Sequence, residues 1–108
     1  MPVVDTSSGQ LYYRHYPLPA SRDAIPVFLH HGIALHSGFW YGWLATLASR
    51  PVLAIDMRGC GRSTVPEPGF RWSFDQFAAD VCAVLDDAGC RRCHFVGESI
   101  GGTIGLYL

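Results

Sequence analysis

Gly97-Glu98-Ser99-Ile100-Gly101 is a G-x-S-x-G pattern with an apolar run before it and small residues after it. A serine on a tight bend between a strand and a helix projects its hydroxyl into open space, and flanking glycines keep other side chains away. The helix that follows turns its first unpaired N–H groups, and the positive end of its dipole, toward the same spot. Such a setting makes a weak alcohol into a nucleophile for acyl transfer. Ser99 is the nucleophile in this reading, and Gly97 and Gly101 are the glycines that the bend requires.

Two further groups of residues could serve that chemistry. His30-His31-Gly32-Ile33 directly follows the apolar run Val27 to Leu29. A glycine at 32 lets the chain swing out of a strand, so that the N–H of Ile33 can face the site. Paired with the N–H of Ile100, it would make an oxyanion hole of two donors. His30 and His31 lie within that turn and are read as fixing its shape rather than as the base for Ser99. Gly32, and His36 farther along the loop, are expected beside the substrate. The third group is Asp56-Met57-Arg58-Gly59-Cys60-Gly61-Arg62-Ser63. Asp56 can accept hydrogen bonds from loop N–H groups, and Arg58 can reach carboxylates or carbonyls. The reading is of a loop held in one shape, with a triad acid as the alternative role for Asp56. Cys60 is expected to border the cavity.

The elements that must position these groups follow from hydrophobic patterning. Leu11 to Tyr16 reads as a strand, preceded by a turn over Asp5 to Gly9 and followed by a loop over Pro17 to Ala24. Val27 to Leu29, Val52 to Ile55 and Cys93 to Gly97 are continuous apolar runs, the signature of strands buried on both faces. Trp40 to Ser49 reads as a helix with Trp40, Trp43, Leu44 and Leu47 on one face. The clearest helix begins at the capping pair Ser73 and Gln76 and runs through Phe77, Val81, Val84 and Leu85 to a stop at Gly89. Ile100 to Leu108 begins another. Buried strands alternating with helices predict an α/β fold, a mostly parallel sheet with helices on both faces. The three chemical groups then gather beyond the carboxyl ends of the strands.

Composition sets the outer bounds. The chain has 108 residues, 49% of them apolar, and a formal charge of −1. One small domain fits that length. No clustered basic face points to nucleic acid, and no apolar run is long enough for a membrane span. Met1 to Asp5 lacks the basic and apolar regions of a signal peptide, so the cytoplasm is the expected location. Cys90-Arg91-Arg92-Cys93, with His94, has the spacing of half a zinc site. Plain reduced cysteines in a turn are the preferred reading, and no metal or cofactor is expected.

In order and spacing, the His31-Gly32 turn, the Asp56 to Ser63 loop and the Gly97 to Gly101 elbow resemble the amino-terminal half of an α/β-hydrolase-fold protein. The resemblance covers about Leu11 to Leu108. Trp40 matches an aromatic often found after the His-Gly turn of that family, and is expected at the substrate. Serine at 99 argues against the family's epoxide-opening and halide-displacing members, which carry aspartate there. The sequence is most similar to small members: enol-lactonases, carboxylesterases, carbon–carbon bond hydrolases and cofactor-free haloperoxidase-like proteins. The resemblance implies a small-molecule ester or lactone substrate, an acyl-enzyme on Ser99 and no cofactor. In this family the acid and the histidine follow the serine in the chain. Residues 1–108 are therefore read as the first part of one domain, truncated after the elbow, inactive by itself and prone to associate through an open sheet edge. A non-catalytic binding protein of the same fold is the alternative, and a small redox or zinc protein a third.

Overall fold

Three four-residue strands, all drawn from the continuous apolar runs, carry the architecture. The computed structural model describes residues 2–17, 24–47 and 49–108. Its strands are β1 (Val3–Thr6), β2 (Gly9–Tyr16), β3 (Val27–His30), β4 (Val52–Ile55) and β5 (His94–Gly97), with helices α1 (Phe74–Asp87) and α2 (Ile100–Tyr107). They form one sheet in the order β1-β2-β4-β3-β5. β3, β4 and β5 are parallel, while β2 is antiparallel to both β1 and β4. β3 and β4 are buried at every residue.

The connections explain the two-sided burial. The chain passes from β3 to β4 in one direction across the sheet, then returns past β3 to reach β5. Right-handed crossovers in opposite directions lie on opposite faces. One face carries α1 and α2 over Leu11, Tyr13, Phe28, Leu53 and Ile55. The other carries Trp40, Leu44 and Leu47 over Val27, Leu29, Val52 and Ala54. The register sets His30 level with both Ile55 and Gly97. The next residues, His31, Asp56 and Glu98, therefore emerge side by side at one edge. This is the reversal point where open α/β sheets form their crevice.

Two expectations about elements need correction. The turn expected over Asp5 to Gly9 is confined to Ser7 and Ser8, and Val3 to Thr6 is a strand of the hairpin. Two residues suffice to close a hairpin. The helix expected over Trp40 to Ser49 is a 3-10 helix over Ser37–Trp43, followed by turns. Its bonds run three residues back, as from Leu44 N–H to the Tyr41 carbonyl at 3.3 Å. Gly42 and a run of aromatics with weak helical preference disfavour a longer α-helix. Ala48 of that segment, and residues 18–23 of the loop expected over Pro17 to Ala24, lie outside the described residues.

α1 matches its signals at both ends. The Ser73 hydroxyl accepts from the N–H of Gln76 at 3.0 Å. Gln76 does not complete the capping box, because its amide donates to Asp80 instead. At the other end, Gly89 donates to the Asp86 carbonyl and Cys90 to that of Leu85, the paired bonds of a Schellman stop. Among the described residues, no helix is long and apolar enough to cross a membrane.

Candidate active site

Ser99 stands between β5 and α2 with φ 54° and ψ −122°, a left-handed backbone that non-glycine residues rarely adopt. Its side chain is exposed and makes no capping bond to α2. Such strain costs about 1–3 kcal/mol and persists only where the surroundings over-determine it. They do so here. The N–H of Glu98 donates to the His30 carbonyl at 3.0 Å, and the Ser99 carbonyl accepts from Gly102 at 2.9 Å. A Cβ at 97 would overlap the α2 backbone, and one at 101 would overlap the His30 carbonyl. The bend is therefore clamped between β3 and α2. Gly101→Ala is expected to destabilise the protein by about 1–3 kcal/mol, since α2 must move off β3. Gly102→Ala meets only ordinary contact at 3.4 Å. Its thermal midpoint, measured beside that of Gly101→Ala, is expected to stay near the parent's.

Gly32 comes against this bend from β3. A Cβ added there would lie 3.2 Å from the Cβ of Ser99 and would overlap the Glu98 carboxylate. The N–H groups of Ile33 and Ile100 donate to no backbone or side-chain acceptor among the described residues. Two main-chain donors are thus left uncommitted on the residues directly after Gly32 and Ser99.

The histidines of this turn are committed elsewhere. His31 is fully buried, and its Nδ1 lies 2.6 Å from the Gly32 carbonyl. Its Nε2 accepts from the N–H of Met57 at 2.9 Å, which ties the β3 and β4 exits together. That pair of bonds requires the neutral Nδ1–H tautomer, and burial holds its pKa below the usual histidine value. Nε2 is occupied and is not available to take a proton from Ser99. His30 contacts the His31 carbonyl through Nδ1 at 2.9 Å.

Burial pushes the pKa of His30 down to about 4. The unfolded value is near 6.5, so protonation favours the unfolded chain. The neutral ring's contribution is complete above pH ~6.5 and falls by roughly 3 kcal/mol as the pH drops toward 4. His30→Gln is expected to flatten the difference in urea midpoint between pH 7 and pH 4.5; an unchanged difference would refute this.

Asp56 is buried at the β4 exit. Its carboxylate accepts from Ser37 N–H at 2.7 Å and from Arg62 N–H at 2.9 Å. Gly61, at φ 53°, leaves no room for a side chain beside that carboxylate. The Ser63 hydroxyl donates to the Asp56 carbonyl and accepts from Tyr12 N–H, tying the loop to β2. Both carboxylate oxygens thus hold loop backbone.

Arg58 is also buried. Its guanidinium meets Asp80 of α1 at 2.7 and 2.9 Å and donates to the Ser8 carbonyl at 2.7 Å. The sequence reading named Arg58 but missed Asp80. The available signal was an acidic residue on the inner face of α1, one turn from Phe77 and Val84.

A cavity of about 430 Å³ opens beside the bend. Ile33, Ile100, Met57, Cys60, Val65 and Trp72 contribute to its wall. Trp72 and Val65 were not singled out from sequence; an aromatic immediately before a helix cap was the one hint. Two residues expected at the substrate do not line this cavity. Trp40 is only 2% exposed and packs in the core on the opposite sheet face, because a large ring fills the gap above Val27, Leu29 and Val52. His36 is exposed and caps the 3-10 helix, with Nδ1 accepting from Gly38 N–H at 3.0 Å.

The cysteines lie apart from this edge, except Cys60. Burial raises the thiol pKa of Cys90 and Cys93. Redox-active thiols are shifted the other way. Among the described residues, no three histidine, cysteine or acidic side chains converge as metal ligands.

Known proteins resemble this chain over most of its length. The sequence profile described as "alpha/beta hydrolase fold" matches residues 25–108. A Variovorax paradoxus protein, RutD, provisionally named a carbamate hydrolase, is 36% identical over 97 residues, covering 87% of this chain and 36% of the relative. A Streptomyces lividans non-heme chloroperoxidase is 35% identical over 105 residues, covering 94% of this chain and 36% of its own length. Among solved structures, Est816, described as an N-acyl homoserine lactone degrading enzyme, superposes with a TM-score of 0.84 at 35% identity, covering 97% of this chain and 38% of that one. The enol-lactonase of Burkholderia xenovorans LB400 gives 0.86 at 27% identity, covering 99% and 40%. The chain thus spans well under half the length of these proteins.

Proposed function

The chain belongs to the α/β hydrolase fold family, and on that premise we propose that it is the amino-terminal part of a serine hydrolase cleaving carboxylic esters or lactones through an acyl-enzyme. One observation carries the reading. Ser99 holds an exposed, uncommitted hydroxyl on a strained backbone, beside the uncommitted N–H groups that follow Gly32 and Ser99.

In this mechanism the Ser99 oxygen attacks the carbonyl carbon while its proton passes to a histidine. The carbonyl oxygen becomes an oxyanion held by the N–H groups of Ile33 and Ile100. The carbon–oxygen bond to the leaving alcohol breaks, and the histidine returns the proton to that alcohol. Water, deprotonated by the same histidine, then attacks the acyl-enzyme and releases the acid and Ser99. Both nitrogens of His31 and both carboxylate oxygens of Asp56 are already hydrogen-bonded to the main chain of this edge. We therefore assign the histidine and its acid to sequence outside residues 1–108, in line with the 36–40% of the relatives' lengths that this chain spans. A haloperoxidase-like activity is the second reading, supported by the 35% identity to the chloroperoxidase.

Hydrolysis of 4-nitrophenyl acetate tests the assignment. Residues 1–108 by themselves are expected to show little turnover above a Ser99→Ala control. Robust Ser99-dependent turnover by this chain alone would place the base within it and overturn the assignment of the histidine.

A further inference from the structure

Glu98, the residue before Ser99, carries a charge that no described residue answers. Its main chain is pinned on both sides: the N–H donates to the His30 carbonyl at 3.0 Å, and the carbonyl accepts from Gly101 N–H at 2.9 Å. The side chain is half-buried and lies across Gly32. The point where a Cβ on Gly32 would overlap the Glu98 carboxylate is 3.2 Å from the Cβ of Ser99. The carboxylate therefore lies within a few ångströms of the Ser99 side chain, against the turn that carries the Ile33 N–H. Among the described residues it accepts no hydrogen bond and forms no ion pair. The other charges at this edge are engaged. Asp56 holds two backbone N–H groups, Arg58 is paired with Asp80, and the Arg62 guanidinium lies over the Tyr12 ring at 5.3 Å. Burial keeps the rings of His30 and His31 neutral at pH 7.

We infer that Glu98 is a recognition group for a cation, and that the substrate is an ester or lactone bearing a protonated amine or quaternary ammonium close to the scissile carbonyl. The substrate class rests on the hydrolase reading; the cation site rests on the placement of Glu98. Two costs make the case. A half-buried carboxylate without a partner is unfavourable in the free protein. The same charge also repels an oxyanion formed at the N–H groups of Ile33 and Ile100. A cation carried by the substrate removes both. The second is relieved only as the oxyanion forms, so the cation raises turnover as well as binding.

The test compares two methyl esters of one shape. Trimethylglycine methyl ester carries a quaternary ammonium, and methyl 3,3-dimethylbutanoate has carbon in place of that nitrogen. Both are titrated calorimetrically into the Ser99→Ala form of the protein that supplies the histidine and acid. The cationic ester is expected to bind about tenfold more tightly than its neutral twin, and Glu98→Gln in the same background to erase the difference. Turnover of the corresponding 4-nitrophenyl esters is then read with Ser99 in place. Glu98→Gln is expected to lower kcat/KM about tenfold for the cationic ester and to raise it about two- to threefold for the neutral one. A merely structural role would lower both. Equal binding of the two esters, a preference that survives Glu98→Gln, or faster turnover of the anionic 4-nitrophenyl hemisuccinate would overturn the proposal. The titration needs no catalysis, so the two readings fail separately. A binding preference without ester turnover at Ser99 keeps the cation site and sinks the hydrolase. Turnover blind to the charge does the reverse.

Discussion

Ser99→Ala is expected to lower ester turnover by at least ~10⁴-fold in the protein that supplies the histidine and acid, because the covalent route is lost and only the oxyanion donors and binding remain. KM is expected to move little, since one hydroxyl contributes little to substrate binding. The same position carries a second signature. Alanine at φ 54° is as strained as serine, so Ser99→Ala should leave the thermal midpoint close to the parent's. Ser99→Gly relieves the strain and is expected to add about 1 kcal/mol of stability while abolishing activity. Turnover and calorimetry on the three proteins decide the matter. A stable, active Ser99→Ala protein would remove the nucleophile from position 99, and a destabilised Ser99→Gly protein would remove the strain.

Asp80→Ala is expected to cost about 3–5 kcal/mol, because it leaves the Arg58 guanidinium buried without its counter-charge. The Arg58 side chain has no solvent exposure and that of Asp80 only 4%. Arg58 also fastens the β4 exit loop to the hairpin turn through the Ser8 carbonyl and Thr6. The loss therefore loosens the cavity wall as well as the core. A fall of about 15–30 °C in thermal midpoint corresponds to that cost in a domain of this size. Arg58→Met combined with Asp80→Leu replaces the pair by apolar side chains of similar volume and is expected to recover most of it. Urea titration of the single and double variants checks both statements. A single variant within about 1 kcal/mol of the parent would show that the pair is not the support described.

The elements read most clearly in the sequence were those with a single physical explanation. β3 and β4 are sandwiched between two layers, so their residues are apolar without alternation, and no surface helix produces that pattern. α1 has a cap, an apolar face and a glycine stop that agree with one another. β1 was missed because two valines and a threonine carry little weight alone; pairing with β2 makes them a strand. The 3-10 helix was read as an α-helix because both put Trp40 and Trp43 on one side. That Trp40 packs over Val27, Leu29 and Val52 was not legible, because an aromatic after a His-Gly turn says nothing of which sheet face it will cover, and that depends on crossover direction. Arg58 and Asp80 are 22 residues apart, and the pairing of a loop cation with a helix anion is a tertiary fact. The close approaches at Gly97 and Gly101, by contrast, were implicit in the residues themselves, since both glycines lie where strand and helix backbones touch.

Ile33 and Ile100 divide their labour by atom. Both residues border the cavity, and each also carries an uncommitted main-chain amide. Exchanging either side chain leaves the peptide group in place. Positions 33 and 100 are therefore natural sites for randomised libraries, where the lining of the cavity can be varied while both main-chain amides stay.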